Sequence, residues 1–281
     1  MIDLHSHTDE SDGTFSPRQL VAEAVRIGLD ALAITDHDTF AGYDQAVEFA
    51  TKHPIQLVRG IELSTKFRGR SVHLLAYFLK DSPSPAFYEW LASLETSRQD
   101  RNRALIAQLR SRGIAITLEE VAARAGKIIA RPHFAAVLVE KGYAASMEQA
   151  FDEYLGESAP CYVSRDGPEF DEAVAHILAS GGLPVLPHPG RLRAGSAKVL
   201  EQEVGEMQRM GLRGIEVYHS DHSVSDVTLY ASLARKLGLA VTGGSDFHGA
   251  AKPGIALGTG IDGNLNIPNS ILDDLRAIAS I

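Results

Sequence analysis

The sequence predicts an α/β protein in which about seven strands form a barrel, similar to an incomplete TIM barrel, interrupted by a helical insertion. Short apolar runs of strand length alternate with longer segments of helical periodicity. Repeated strand–helix–strand units are typical of parallel strands joined by crossovers. Polar residues follow these runs, where barrels of this kind carry their active sites. A length of 281 residues with 44% hydrophobic content is sufficient for a large core.

Seven short apolar runs are predicted to be buried strands, because they have strand length and are bounded by turn residues or by helical segments. The runs are Met1–Leu4, Ala31–Thr35, Ile55–Ile61, Val72–Phe78, Leu183–Leu186, Gly214–Tyr218 and Leu239–Thr242.

Two of the intervening helices have clear boundary signals. Pro17 to Ile27 begins with a capping Ser16 and a first-turn proline and ends at Gly28. The helix predicted from residues 223 to 237 ends in the same way at Gly238.

One segment, from about Pro83 to Ala159, shows only helical patterns. These are Phe87–Arg112, Leu118–Ala125, His133–Glu140 and Met147–Leu155. We expect residues 83–159 to be a helical insertion and residues 1–82 and 160–281 to form the barrel. Because the insertion follows the strand that carries His73, we expect it on the active-site side, as a substrate-binding cap.

Composition narrows the classes of function. The chain carries 27 basic and 36 acidic residues, a net charge of −9, which disfavours binding to long nucleic acids and anionic membranes. It has one cysteine, Cys161, and neither a membrane-length apolar run nor a signal-peptide pattern. We therefore expect a cytoplasmic protein without a membrane association or an obligate protein partner, whose metal ligands are His, Asp and Glu.

Imidazoles and carboxylates recur near the ends of successive predicted strands, beginning with the pair His5 and His7. A single His-x-His pair is often an ordinary hydrogen-bonded feature, but nine such residues at one barrel end predict a shared metal cluster. They are His5, His7, Asp12, His37, Glu62, His73, His188, Asp246 and His248. Mixed nitrogen and oxygen ligands favour Mn²⁺, with Fe²⁺, Zn²⁺ or Mg²⁺ as alternatives. Nine ligands suit two or three ions, an arrangement typical of hydrolysis at phosphorus.

These motifs resemble the PHP (polymerase and histidinol phosphatase) family of metal-dependent phosphoesterases. The matching segments are HSH at 5–7, TDHD at 35–38, Glu62, His73, HPGR at 188–191 and SDFH at 245–248. The resemblance implies a distorted seven-stranded (β/α) barrel with three metal sites. The implied ligands are His5, His7, Glu62 and Asp246 for the first site, Glu62, His73 and His188 for the second, and Asp12, His37 and His248 for the third. Many relatives have His where this chain has Asp12.

Within that family, the insertion and its ARPHF segment are most similar to nucleoside 3′,5′-bisphosphate phosphatases and to RNA exonucleases that trim 5′ ends. The insertion is also locally basic. Residues 98–131 contain eight basic and three acidic residues, a charge of +5, whereas the rest of the chain carries −14.

Two arginines of the insertion lie on an apolar helical stripe. Leu91, Leu94, Arg98, Arg101, Leu105 and Leu109 follow one another in steps of three and four residues. We expect Arg98 and Arg101 to bind a phosphate by charge-assisted hydrogen bonds; salt bridges within the fold are the alternative. Five further residues are predicted to bind substrate. They are Asn102, Arg131, His133, Arg191 and His219, of which Arg131 and His133 open a helix.

The leading hypothesis is a phosphomonoesterase that removes the 3′-phosphate from nucleoside 3′,5′-bisphosphates. One phosphate would lie on the metals and the other on the arginines, and a hydroxide bridging the ions would attack phosphorus. Metal-bound water or a histidine, such as His248, would protonate the leaving oxygen. A 5′→3′ exonuclease acting on short single-stranded RNA or DNA is the alternative. An amidohydrolase is the second, although Glu62 occupies the place where those enzymes usually have a bridging lysine.

Overall fold

The computed structural model describes residues 1–125, 127, 129–156, 158–163 and 167–279. The chain divides into two compact units. Residues Met1–Glu89 and Pro168–Ile281 form the first, called here the barrel unit, and Trp90–Gly167 form the second, the helical unit. Both divisions therefore lie several residues from the predicted boundaries at 83 and 159. The first division falls inside the helix Pro85–Ser111.

Across the described residues, seven strands form one sheet whose spatial order equals the chain order. They are β1 Ile2–Asp3, β2 Ala31–Ile34, β3 Gln56–Phe67, β4 Arg70–Phe78, β5 Leu183–Leu186, β6 Gly214–His219 and β7 Ala240–Gly244. Each predicted apolar run overlaps one of these strands. The prediction of a distorted seven-stranded barrel is confirmed.

The barrel closes between its first and last strands. The Leu4 N–H donates to the Gly243 oxygen at 3.1 Å, and the Asp246 N–H donates to the His5 oxygen at 2.9 Å. Gly244 permits this approach, because a Cβ atom there would lie 2.3 Å from the His5 nitrogen. The closure places the chain segments that carry His5 and Asp246 side by side.

The expectation that all strands are parallel is wrong for β4. This strand pairs antiparallel with both β3 and β5, and Ser64 lies opposite His73. His73 is therefore near the start of β4, and Glu62 is inside β3, whereas both were expected after strand ends. Because β4 is reversed, its beginning lies at the same barrel end as the carboxyl ends of the parallel strands.

The reversal also determines the barrel end at which the chain leaves β4. β4 ends at Phe78, which pairs with Arg59 near the start of β3. The chain leaves β4 at the barrel end opposite His73. The role of residues 83–159 as a substrate-binding cap stays a prediction.

The described residues contain ten α-helices, two of which begin and end as predicted, to within a residue. Ser16 caps the first in a capping box with Gln19, and Ser223 caps the ninth, which ends at the left-handed Gly238. The helices are α1 Pro17–Arg26, α2 Ala41–Ala50, α3 Pro85–Ser111, α4 Leu118–Ala122, α5 Arg131–Glu140, α6 Met147–Ala150, α7 Phe170–Ala179, α8 Ala197–Arg209, α9 Val224–Leu237 and α10 Ser270–Ala279.

The barrel unit has two apolar layers. One, built on the strands and α10, includes Leu4, Leu75 and Val185, and the other lies between α1, α2 and β2 around Leu20 and Leu32. These side chains are almost fully buried. The strands are thus fixed from both faces, which gives a rigid base to the polar residues at their ends.

The helical unit has its own apolar core, in which Leu105, Leu109 and Phe134 join α3 to α5. The predicted stripe of α3 is confirmed, since its four leucines and both arginines, Arg98 and Arg101, are buried. Among the described residues, no helix has both the length and the apolar character needed to cross a membrane.

Candidate metal centre

All nine predicted ligands belong to the barrel unit, where Glu62 contacts five of the six imidazoles among them. Its Oε2 atom lies 3.3 Å from His5 Nε2, 3.2 Å from His7 Nε2 and 3.4 Å from His37 Nδ1. These three rings come from the ends of β1 and β2. Strand order alone brings them together, because β1, β2 and β3 are neighbours.

The second oxygen of Glu62 faces the other half of the barrel. Oε1 lies 2.9 Å from His73 Nδ1 and 3.0 Å from His188 Nε2. His73 comes from β4 and His188 follows β5. The two oxygens of one carboxylate thus face separate groups of nitrogen donors, as a carboxylate shared by two cations does.

Asp246 and Asp12 complete the donor set. Asp246 Oδ1 lies 3.5 Å from His5 Nε2 and 3.4 Å from His7 Nε2. Asp12 Oδ1 lies 3.2 Å from His248 Nε2, and Asp12 Oδ2 lies 3.6 Å from His37 Nε2.

The geometry groups these atoms much as the family resemblance implies. Donor atoms lie within 4.8 Å of one another in two groups that contain the implied first and third sets, the third with His7 added. A further group combines Glu62 and His73 with His37 in place of the implied His188. His188 nevertheless lies within 3.0 Å of Glu62.

The carboxylates make the centre strongly favourable for positive charge. Burial opposes protonation of His5, but the carboxylates of Glu216, Glu62 and Asp246 outweigh it and raise its pKa well above the usual value. Burial likewise opposes protonation of His7, whereas the nearby carboxylates of Asp246 and Glu62 raise its pKa to about 9. A cation placed among these groups would therefore be stabilised.

Other rings of the centre are held neutral. Burial lowers the pKa of His37 to about 3 and that of His188 to about 3, despite the nearby Glu62. Burial opposes ionisation of Glu62, but the His73, His37 and His5 rings lower its pKa well below the usual value. Neutral imidazoles and an ionised carboxylate are the forms that ligate divalent metals.

Several buried ring nitrogens fit a bound cation. Both nitrogens of His7, and Nδ1 of His37 and His73, make no well-directed hydrogen bond among the described residues, although a carboxylate oxygen lies within 3.6 Å of each. Buried polar atoms normally have partners, so such a cluster in one place needs an explanation. Nitrogen and carboxylate donors without thiolate suit divalent transition ions. The residues present thus fit a metal centre.

Glu216 is a buried carboxylate at the centre that the sequence analysis missed. Its Oε1 lies 3.0 Å from His5 Nδ1, and its Oε2 accepts the His188 N–H at 2.8 Å. The signal was a single carboxylate inside the apolar β6, a position that is rarely acidic without a partner.

Three further buried or partly buried aspartates tie the loops of the centre together. Asp36 accepts three hydrogen bonds from Thr8 and Ser11, in the loop that precedes Asp12. Asp3 accepts the Ser245 N–H at 2.9 Å, which tethers the loop that bears Asp246. Asp38 bonds to the N–H and hydroxyl of Ser64 in the same way.

His219 is buried beside the centre with its tautomer set by the backbone. The Asp221 N–H donates to His219 Nδ1 at 3.0 Å, which leaves the proton of a neutral ring on Nε2. That Nε2 faces Asp246 Oδ2 at 3.5 Å. A neutral ring therefore presents an N–H donor to the centre, and its predicted role in substrate binding stays a prediction.

Two cations lie on the outer oxygen of Asp246. Arg191 Nη2 donates to Oδ2 at 2.9 Å and Lys252 Nζ at 2.7 Å. Both side chains stay partly exposed. Arg191 was predicted from the HPGR motif, whereas Lys252 was missed, because a lysine in a loop carries no local signal.

A cavity of about 150 Å³ opens beside His73, His188 and Arg191. Its other walls are largely apolar and include Val72 and Leu192. Such a combination suits an organic group attached to an anion.

The predicted substrate residues of the helical unit are placed on α3 and α5. Asn102 Nδ2 donates to the Ile129 oxygen at 3.2 Å, which joins α3 to the segment that leads into α5. Arg131 begins α5 as predicted, and its guanidinium lies 5.6 Å from the centre of the Tyr162 ring. The Ala130 N–H donates to His133 Nδ1 at 3.0 Å, so a neutral His133 ring carries its proton on Nε2.

Comparison with known proteins gives three close relatives. The chain is 33% identical over 259 residues to a 3′,5′-nucleoside bisphosphate phosphatase of Chromobacterium violaceum, covering 92% of this chain and 90% of the relative. It is 37% identical over 251 residues to the 5′-3′ exoribonuclease Rnm of Salmonella typhimurium, covering 88% and 85%. A solved structure from Chromobacterium violaceum, described as an amidohydrolase with bound sulfate, is 32% identical with a TM-score of 0.82, covering 98% and 96%.

The PHP domain model matches residues 3–158, more than half of the chain. The match begins before His5 and His7 and continues through Glu62 and His73. Together with the buried donor cluster, it shows that this chain is a hydrolase that belongs to the PHP domain family of metal-dependent phosphoesterases, which use divalent metal ions.

Proposed function

We propose that the protein removes the 3′-phosphate from nucleoside 3′,5′-bisphosphates and releases nucleoside 5′-monophosphates. The observation that carries this proposal is that one chain has two groups of residues suited to phosphate, one through bound metal ions and one through arginines. The barrel unit offers the donor cluster around Glu62, and the helical unit offers arginines on a buried stripe. The relative named as a bisphosphate phosphatase, matched over 90% of its length, supports it.

The proposed ligands form three sets. His5, His7, Glu62 and Asp246 hold the first ion, Glu62, His73 and His188 the second, and Asp12, His37 and His248 the third. Mn²⁺ is the proposed metal, since nitrogen and oxygen donors without thiolate suit it. When bound, such ions supply Lewis acidity and a nucleophile for attack on phosphorus.

The chain's own residues bind and orient the rest of the substrate. Arg191 and Lys252, which share Asp246 Oδ2, would neutralise charge on the scissile phosphate. The cavity beside His73 would accept the nucleoside. The His219 Nε2–H would donate to a phosphate oxygen or to the leaving 3′-oxygen.

The geometry favours a ligand role for His248 over a role as proton donor. Its Nδ1–H donates to the backbone carbonyl oxygen of Asp246 at 2.7 Å. The neutral ring therefore has its lone pair on Nε2, which faces Asp12.

The second phosphate is the proposed ligand of the helical unit. The side chains that would bind this phosphate are Arg98, Arg101, Asn102, Arg131 and His133. Arginine suits this role because its planar guanidinium binds phosphate with two parallel hydrogen bonds. A requirement for two phosphates follows, since each contributes binding energy that a monophosphate lacks.

A 5′→3′ exonuclease is the second candidate. The specific observation in its favour is the 37% identity to the relative named as an exoribonuclease. The same donor cluster would then cleave a diester, with the terminal 5′-phosphate on the arginines. An amidohydrolase receives less support, because a glutamate rather than a lysine lies between the proposed donor groups.

We place the protein in the cytoplasm and expect small phosphorylated nucleotides as its main partners. The single cysteine fits a reducing compartment. The net charge of −9 disfavours long duplex nucleic acids, although short single-stranded RNA can still reach a local basic region.

Steady-state kinetics with Mn²⁺ tests the proposal. The substrates are adenosine 3′,5′-bisphosphate, AMP, an aryl phosphate and a 5′-phosphorylated oligonucleotide. We expect the highest kcat/KM for the bisphosphate, because only this small substrate engages both groups of residues. Equal values for the aryl phosphate and the bisphosphate would contradict the two-phosphate model. A higher value for the oligonucleotide would select the exonuclease.

A further inference from the structure

Among the residues that the structure describes, Glu216 is the one carboxylate outside the predicted ligand set that contacts proposed ligands of two different metal sites. Through Oε1 it meets His5 Nδ1 at 3.0 Å, and through Oε2 it accepts the His188 N–H at 2.8 Å. The Glu216 side chain is completely buried. His5 belongs to the first proposed site and His188 to the second.

The contact with His5 determines which nitrogen of that ring can bind a metal. A carboxylate accepts a hydrogen bond from Nδ1–H, so the neutral ring keeps its proton on Nδ1 and its lone pair on Nε2. Nε2 is the atom that faces Glu62 and Asp246, at 3.3 and 3.5 Å. A carboxylate behind a metal-binding imidazole also fixes the orientation of the ring and raises its basicity.

The contact with His188 acts on the backbone. His188 has a φ of 31° and a ψ of 61°, in the left-handed region, which is unfavourable for a residue other than glycine. The Glu216 carboxylate holds the N–H of this strained residue in place. The ring of His188 is thereby directed at Glu62.

Strand β6 is built to place Glu216 there. A regular strand would direct residues 216 and 219 to opposite faces. The register shift between Glu216 and Tyr218 changes this alternation, so both Glu216 and His219 face the histidine cluster.

We propose that Glu216 is a positioning residue that selects the metal-binding tautomer of His5 and holds the backbone of His188, and thereby supports the first and second metal sites but not the third. This inference rests on the ligand sets of the proposed function. The third set, Asp12, His37 and His248, is supported separately by the loop that Asp36 holds.

The variant Glu216→Gln keeps the size of the side chain but offers one acceptor for two N–H donors. Equilibrium dialysis against Mn²⁺, with metal counted per chain, should show affinity for two ions weakened by about 10–100-fold and that for the third unchanged. A uniform loss at all three sites, or no loss at any, would overturn the proposal.

The matched control is Glu203→Gln, another buried glutamate of the barrel unit, which pairs with Arg70 on the outside of the centre. The Glu203→Gln protein should retain all ions even if its melting temperature falls as much as that of Glu216→Gln. This comparison separates a specific effect on ligands from general destabilisation.

A second measurement needs no variant. In the Zn²⁺-loaded wild-type protein, ¹⁵N NMR should show His5 protonated on Nδ1; protonation on Nε2 would refute the assigned role. A wild-type protein that binds metals but leaves the bisphosphate intact would instead count against the proposed function and leave this inference standing.

Discussion

Glu62 is the residue on which the donor cluster converges, because five imidazoles lie within 3.4 Å of its two oxygens. Glutamine at this position keeps the shape but removes the negative charge that two proposed ions share. We expect Glu62→Gln to lose both ions and to reduce kcat by roughly a thousandfold or more, since metal ions contribute several kcal/mol to such reactions.

Metal content per chain and single-turnover rates test this prediction. Glu203→Gln serves again as the control for removal of a buried carboxylate. A Glu62→Gln protein with full metal content and normal rates would show that Glu62 is not a shared ligand.

Residue patterns predicted the members of the cluster but not the residues that hold them. His5 and His7 are recognisable because they follow an apolar run as a pair, and His37, His188, Asp246 and His248 likewise come after apolar runs. Glu216 lies inside a strand, and its role depends on a register shift in β6 that local sequence does not reveal. Lys252 acts through a single contact with Asp246.

At the level of elements, seven strands were predictable because each is an apolar run, whereas the direction of β4 was missed. The gap between the predicted runs leaves room for a crossover. In the structure β3 continues to Phe67 and turns at Arg68 and Gly69, both with positive φ. Such two-residue turns make hairpins, so an Arg-Gly pair between apolar runs was the missed signal.

Helix α3 carries the next prediction. Arg98 is buried on the apolar stripe, whereas Arg103 is exposed and pairs with Asp100 on the same helix. If Arg98 binds the second phosphate, Arg98→Ala should lower kcat/KM for the bisphosphate by about 10–100-fold, the worth of a charge-assisted hydrogen bond. The change should appear mainly in KM and be small for monophosphates.

Arg103→Ala is the matched control and should leave both substrates unaffected. Arg131→Ala tests the start of α5 in the same assay and should behave like Arg98→Ala. Equal losses of kcat/KM for bisphosphate and monophosphate substrates would indicate that these arginines have a structural role.

For the whole molecule, the net charge of −9 combines regions of opposite sign. Part of the acidity belongs to the carboxylates of Asp12, Glu62 and Asp246 in the donor cluster, and three divalent ions would reduce the net charge to −3. The donor atoms of the centre come together only in the folded protein, so bound cations stabilise that state. The fold is therefore expected to depend on metal for part of its stability.

Metal removal measures that dependence. An ion at a hundred times its dissociation constant stabilises the folded state by about 2.7 kcal/mol, and each kcal/mol raises the Tm of a unit this size by about 2–4 °C. We therefore expect each Mn²⁺ ion bound under those conditions to raise the melting temperature by about 5–10 °C relative to protein in a chelator, measured by calorimetry. Glu62→Gln should lose most of this rise, because two of the proposed sites share that carboxylate. Identical wild-type melting temperatures with Mn²⁺ and with chelator would mean that the donor cluster does not hold metal in the folded state.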